Sequence, residues 1–257
     1  MSQIPCFVVN LATATKRRAA MQSMLTERGI TPTWFEAVDG RILSESELAT
    51  HFNAARATIE YGPMARAEVG AALSHLGIYR QMVEQNILCA VILEDDVILE
   101  KDFKEMLRSE GQQTLASTFP STEPVMVQLT HVERGYRAGT IEFGNRQIVR
   151  PHSGVWLCAA YFITQAAAKK MLEALYPVWM VADHWSLFES QGLVTLHAMT
   201  PNVAWESADS QASDIEATRS SRRKSRKTIA ERFRRMVDAA FVRPFRVRDL
   251  PRNTGQG

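Results

Sequence analysis

Residues 88–93, LCAVIL, form an unbroken apolar run with no helical period, and three carboxylates, Glu94, Asp95 and Asp96, begin where it ends. A run of that length and composition has the character of a central strand buried on both faces, and such strands belong to sheets with helices on both sides. The flanking segments agree with this. IPCFVVNL (4–11) is a second short apolar run, ended by Asn10 and by ATAT, which offers N-cap candidates for a helix over 16–28 with apolar Met21, Met24 and Leu25. Gly29 stops that helix, and TPTWFEAVDG reads as a strand closed by Asp39-Gly40. The order β, α, β implies parallel pairing through right-handed crossovers in an α/β sheet.

Further along, residues 44–52 suit a short helix whose Ser44 and Glu47 have capping-box spacing. ARAEVGAALSHLGIYRQMVEQ (65–85) places Val69, Leu73, Leu76 and Val83 at helical spacing and leads into LCAVIL. KDFKEMLRSEG reads as an amphipathic helix, PVMVQL (124–129) as a strand, and VWLCAAYFIT (155–164) as a strand or strand pair. QAAAKKMLEALY and VADHWSLFESQG read as helices, and LVTLHAMTP (193–201) as the last strand.

Composition sets outer limits. With 257 residues, 46% hydrophobic and 23% charged, the chain suits one large domain, or a domain of about 200 residues with an appendage, and not a disordered or fibrous class. No run approaches the roughly 18 to 20 apolar residues of a transmembrane helix, and the first residues lack the basic region of a signal peptide, so the mature protein is expected to start near Met1. Cys6, Cys89 and Cys158 sit among apolar neighbours, as buried thiols in a reducing cytoplasm would. Net charge is +2, yet residues 219–252 hold 13 Lys or Arg against three acids, which leaves 17 basic against 25 acidic residues elsewhere. An acidic domain (1–218) therefore carries a basic tail (219–257).

Acids at a strand end have two readings. Ligands gather at the carboxyl ends of strands in open α/β sheets, and three adjacent carboxylates are tolerated where a cation neutralises them. Oxygen ligands alone favour Mg²⁺ or Mn²⁺. The alternative is a solvated loop whose Asp caps the next helix. Arg17 and Arg18 follow Asn10 and Leu11 at a helix start that could meet phosphate, or could simply be solvated. Ser74 lies four residues from Gly70, and Glu68 and His75 share a helical face. A lone helix histidine is more often a hydrogen-bonded structural residue than a ligand or base.

Taken in order, FVVNL with KRR after it, FEAVDG, AEVGAALSH and VILEDDVILEKDF resemble glycosyltransferase family 25, the bacterial lipooligosaccharide galactosyltransferases and their relatives acting on collagen. AAYFITQAAAKKML, Asp183 and SDI (213–215) match later family positions, so the resemblance covers about 4–218. Ala71 and Tyr79 depart from it, standing where Cys and Trp are common. The resemblance implies a GT-A-like, mostly parallel α/β sheet flanked by helices. It also implies inverting transfer from a nucleotide sugar, usually UDP-galactose, to a lipid-linked oligosaccharide. Asp96, with Glu94, would ligate Mn²⁺ or Mg²⁺, and Asn10, Leu11, Arg17, Arg18, Asp39, Ser74, His75, Glu94, Asp95 and Asp214 would line the donor site. The base that takes the acceptor proton would be Asp183 first, Glu68 second.

In the tail, Ile229, Phe233, Met236, Val237, Ala240 and Phe241 share one helical face, with Arg232, Arg234 and Arg235 around it. This suits a helix lying on an anionic membrane surface, and so a cytoplasmic enzyme peripheral to the inner face. The alternative is packing on the domain. Without aromatic interleaving, and on an acidic body, the tail does not read as nucleic-acid binding. Two rival functions use the same features: a Mg²⁺-dependent phosphoryl or nucleotidyl transferase, and a non-catalytic membrane-surface protein. No Walker-type loop supports the first.

Overall fold

LCAVIL lies within strand β3 (Cys89–Glu94), third in an eight-stranded sheet, with Ala90, Val91, Ile92 and Leu93 wholly buried. Burial of each of the larger three contributes about 1.5–3 kcal/mol, which secures the strand against the cost of the acids that follow. The computed structural model describes residues 4–107, 109–152, 154–207 and 246–254. Asp214, the SDI motif and residues 219–245, including the amphipathic stretch, lie outside them.

The chain runs β1 (Cys6–Asn10), α1 (Thr15–Glu27), β2 (Thr33–Glu36), α2 (Glu45–His51), α3 (Ala54–Arg56), a π-helical turn (Ala57–Tyr61), α4 (Arg66–Glu84) and β3. It continues through β4 (Val97–Leu99), α5 (Phe103–Leu107), α6 (Ser109–Thr118), β5 (Val125–Gln128), β6 (Arg134–Tyr136), β7 (Ile141–Phe143) and β8 (Arg146–Val149). Last come β9 (Ala160–Thr164), α7 (Gln165–Leu175), α8 (Trp185–Ser190), β10 (Thr195–Thr200), β11 (Ala204–Glu206) and β12 (Val247–Asp249).

The main sheet has the order β2-β1-β3-β9-β5-β10-β8-β7. β1 is parallel to β2 and β3, and β5 to β10, whereas β9 runs against both its neighbours and β8 against both of its own. Six of the eight strands thus point one way, and β9 and β8 the other. The reversal of β9 matters for the site. It brings the loop feeding β9 to the edge where β3 ends, and the Glu94 N–H donates to the Ala159 carbonyl at 2.8 Å.

Alternation along the strands divides the core between two faces. Phe7, Ile92, Tyr161 and Ile163 pack with α4, α7 and α8, while Val8, Val91, Leu93 and Phe162 pack with Met21 and Leu25 of α1 and with α5 and α6. The α/β architecture flanked by helices is the expected one. Several local expectations change. Ala14, whose methyl cannot accept a hydrogen bond, is the N-cap of α1, and the threonines of ATAT are not. KDFKEMLRSEG spans two helices, and only the second half of 155–164 is strand. Strands β6, β7 and β8 have no counterpart among the expected elements. The Ser44–Glu47 capping box forms, with Glu47 Oε2 accepting from the Ser44 N–H at 2.8 Å. All three cysteines are free, and burial pushes the Cys6 thiol up to about 12.

β12 pairs antiparallel with β6, the Arg246 carbonyl accepts from the Arg137 N–H at 2.8 Å, and Leu250 is buried. The Asn253 N–H donates to Asn202 Oδ1 at 2.8 Å, so residues 246–254 lie on the domain. Among the described residues, no helix is long and apolar enough to cross a membrane.

Candidate active site

Parallel register sets Val9 of β1 beside Glu94 of β3, so Asn10 meets the residues just past β3. Asn10 is 2% exposed, and its Nδ2 donates to Asp95 Oδ2 at 2.5 Å and to the Ala14 carbonyl at 3.3 Å. The second bond ties the acids to the start of α1. Arg17, in the first turn of α1, places Nε 3.3 Å from Asp95 Oδ1 and Nη1 3.9 Å from Asp96 Oδ2. That turn carries no acidic residue and no side-chain cap, leaving its N–H groups and partial positive charge available to an anion. Arg18 is engaged elsewhere, its guanidinium stacking 4.2 Å from the Trp34 ring centroid while Nη1 reaches Asn10 Oδ1 at 3.5 Å. Leu11 contributes backbone, its carbonyl accepting from the Ala14 N–H at 2.9 Å.

The three acids differ in environment. Burial raises the Asp95 carboxyl, while Asn10 and Arg17 pull it back down. Asp96 is pushed up to about 7 by burial first, then by Glu94, Asp95 and Glu206, with Arg17 opposing. Glu206 arrives because β11 pairs antiparallel with β4, with Glu206 opposite Val97. Glu94, the most exposed of the three, faces His75, whose Nε2 lies 3.5 Å from Glu94 Oε1. Behind it runs a buried chain in which His75 Nδ1 lies 2.8 Å from the Tyr161 hydroxyl and that hydroxyl 2.8 Å from Tyr79. Burial holds both phenols well above their ordinary range, so they act as neutral hydrogen-bonding groups that orient the imidazole.

Other anticipated residues brace the site. Ser74 is fully buried, accepting from the Val38 N–H and donating to the Gly70 carbonyl, both at 2.8 Å. It fixes the 38–40 turn to α4. Asp39 forms an ion pair with Arg41 at 2.8 Å, which holds its carboxyl below the usual range. Glu68, 5% exposed, accepts from the Ala65 N–H at 2.8 Å at the start of α4. Asp183, 7% exposed, precedes α8, whose N-cap is His184. Trp185 packs edge-on against Tyr161 at 5.0 Å, linking Asp183's segment to the His75 chain.

The structure thus gathers Asn10, Arg17, Glu94, Asp95, Asp96 and His75, and adds Glu206, Tyr79 and Tyr161. Tyr79 and Tyr161 fall in segments that carry the resemblance, but nothing local marks their role, and Glu206 has no signal at all, since the three come from distant strands or the apolar face of a helix. The donor chemistry fits a hard divalent ion: Asp96 is crowded by negative charge, and Glu94 is half open. Among the described residues, no group of three His, Cys, Asp or Glu side chains is arranged to hold a metal by itself. Although three acids act on Asp96 electrostatically, Asp95 is already engaged by Asn10 and Arg17. The arrangement suits Mg²⁺ or Mn²⁺ held by one or two carboxylates and completed by substrate phosphate and water.

The sequence pattern of glycosyltransferase family 25 (LPS biosynthesis protein) matches residues 3–186. Human procollagen galactosyltransferase 2 is 31% identical over 105 residues, 39% of this chain and 17% of that protein. The Bos taurus probable inactive glycosyltransferase 25 family member 3 is 28% identical over 170 residues, 65% of this chain and 28% of that protein. The chain therefore spans under a third of the length of these curated relatives. A crystal structure of a glycosyltransferase involved in glycosylating the major capsid of PBCV-1 aligns at a TM-score of 0.39 and 11% identity, covering 77% of this chain and 82% of that one.

Proposed function

The chain belongs to glycosyltransferase family 25, and from that premise we propose that it is an active, metal-dependent, inverting transferase. Its donor is a UDP-sugar, most readily UDP-galactose, and its acceptor a lipooligosaccharide or lipopolysaccharide glycan. One observation carries this reading: Asn10, Arg17 and the Glu94–Asp96 acids meet at the ends of adjacent parallel strands, facing the open N-terminus of a 13-residue helix. Relatives of this chain include both galactosyltransferases and members named as inactive. The acid cluster and its positive complement, as this chain carries them, support activity here.

Each group then has its part in the reaction. Asp96 and Glu94 would hold Mn²⁺ or Mg²⁺, which would supply positive charge against that developing on the departing UDP. Arg17 and the first-turn N–H groups of α1 neutralise the diphosphate from the other side. Asn10 fixes Asp95, and Asp95 holds Arg17 in place between them. His75, oriented by Tyr161, steadies Glu94. Asp183 takes the proton of the acceptor hydroxyl as its oxygen attacks. The lipid-linked acceptor lies on an anionic membrane on the cytoplasmic side, engaged by the basic stretch 219–245. That stretch is flanked by two anchored points, Ser207, whose N–H donates to the Asp96 carbonyl at 2.9 Å, and Arg246.

Incubating the protein with a panel of UDP-sugars and Mn²⁺ should release UDP slowly, fastest from UDP-galactose, without any acceptor. Absence of both UDP release and UDP binding across the panel would sink the proposal. With an acceptor present, Asp183→Asn should slow transfer about 10²-fold at unchanged UDP affinity. Glu68→Gln should instead lower thermal stability by about 1 kcal/mol, because it weakens the hydrogen bond at the start of α4. The reverse pattern would move the role of base to Glu68.

A further inference from the structure

Trp156 is 45% exposed, and His184 stacks against its ring with centroids 4.1 Å apart and planes 21° from parallel. Stacking at that distance excludes water from one ring face, so the exposed area belongs to the opposite face and the edges. The loop is held firmly: Gln128 Nε2 reaches the Trp156 and Leu157 carbonyls at 3.3 Å each, and Trp185 Nε1 donates to the Leu157 carbonyl at 3.0 Å. Leu157 has φ +77°, a left-handed conformation that costs a branched residue roughly 1–3 kcal/mol. An indole left open to solvent returns little of that cost through burial. Strain and a rigid mount beneath an exposed aromatic face are features of a binding surface.

Its position indicates the ligand. Trp156 stands three residues before Ala159, whose carbonyl accepts from the Glu94 N–H at 2.8 Å, so the chain sets it within about 10 Å of that contact. His184, under the indole, directly follows Asp183. Since β3 lies between β1 and β9, the loop that carries Trp156 into β9 sits across β3 from the Asn10–Arg17 side, and the Trp156–His184 stack brings Asp183's segment to that loop. We propose that the open face of Trp156 is the platform on which a pyranose ring of the acceptor glycan stacks beside Asp183; this rests on the transferase reading above. A pyranose face presents several C–H hydrogens of slight positive charge, complementary to the negative face of an indole, and leaves its hydroxyls at the rim for polar contacts.

Saturation-transfer NMR on the full chain, with methyl glucoside, galactoside and mannoside in one set and UDP with Mn²⁺ in another, tests the platform. At least one glycoside should give signal in the wild type, about tenfold weaker in Trp156→Ala and retained in Trp156→Phe, while UDP signal is unchanged in both. No glycoside signal in the wild type, or full signal in Trp156→Ala, overturns the platform. Loss of UDP signal together with glycoside signal in both Trp156→Ala and Trp156→Gln also overturns it, assigning the ring to the donor base or to folding. The two readings separate cleanly: UDP signal without glycoside leaves the transferase reading standing and the platform wrong, and glycoside signal without UDP does the opposite.

Discussion

Asp96→Asn lowers kcat/KM for sugar transfer about 10³-fold and leaves the protein at least as stable as the wild type. Both parts follow from the crowding of one carboxylate. Asp96 is largely buried beside Glu94, Asp95 and Glu206, and Arg17, at 3.9 Å, is the cation that opposes them. A carboxylate kept among its own kind costs stability, and Asn, of the same shape and without charge, removes that cost. The same change removes a hard oxygen ligand and its negative charge where a metal-bound diphosphate would develop charge, and loss of one such electrostatic contact typically costs 10²–10³ in rate. Calorimetric titration with UDP should show the Mn²⁺-dependent part of binding disappear, while thermal unfolding occurs at the same or a higher temperature. Transfer retained within tenfold would remove Asp96 from the site. A lowered unfolding temperature would mean that the acid is there for the fold. Asp95→Asn offers a contrast, because Asp95 is held by Asn10 and Arg17, and removing its charge weakens both contacts, leaving Asn10 to the Ala14 carbonyl and Arg17 to the more distant Asp96.

The distinction between these two acids shows where sequence reading stops. LCAVIL could be read as a buried strand because an apolar run of that length has few alternatives, and the acids at its end could be read as a site because such ends are where ligands gather. Which acid is paired depends on β1 lying beside β3 in parallel register, a non-local fact. The reversed β9 was illegible for a related reason. A strand, its following helix and its neighbours suggest parallel order unless a hairpin intervenes, and β6, β7 and β8 are three or four residues long and rich in Arg, Gln and Glu. Only with β9 reversed does the loop that carries Trp156 come to the edge where β3 ends. Ser74 was visible as a helical residue four positions after Gly70, but its second partner, the Val38 N–H, belongs to a turn distant in sequence. The AVDG and EVG motifs are thus legible as motifs and become explicable only as one contact.

That contact yields the largest expected effect on stability. In an exposed helix, Gly→Ala stabilises by about 1 kcal/mol, because alanine loses less backbone freedom. Gly70→Ala in α4 should do the opposite. A Cβ there would stand 2.4 Å from the Gly40 nitrogen and 2.5 Å from the Val38 carbonyl oxygen, both backbone atoms of the 38–40 turn. Backbone cannot swing aside as a side chain can, so α4 and the turn must part. The separation strains the 2.8 Å bond between the Val38 N–H and Ser74. Overpacking of this kind costs 1–3 kcal/mol or more, and the strained hydrogen bond adds about 1 kcal/mol. Backbone meeting backbone puts the overpacking at the upper end of that range, about 3 kcal/mol, while the strained hydrogen bond and the propensity gain, about 1 kcal/mol each, cancel, for a net loss of about 3 kcal/mol. At roughly 2–4 °C per kcal/mol for a chain of this size, the unfolding temperature should fall by about 6–12 °C. Gly77→Ala, two turns along the same helix, provides the control. Its Cβ would meet the Phe35 ring tip at 2.5 Å, and Phe35 is a half-buried side chain that can tilt away. Its expected change is within about 1 kcal/mol, so equal melting losses for the two variants would mean that the close turn-to-helix approach is not what the glycine at 70 serves.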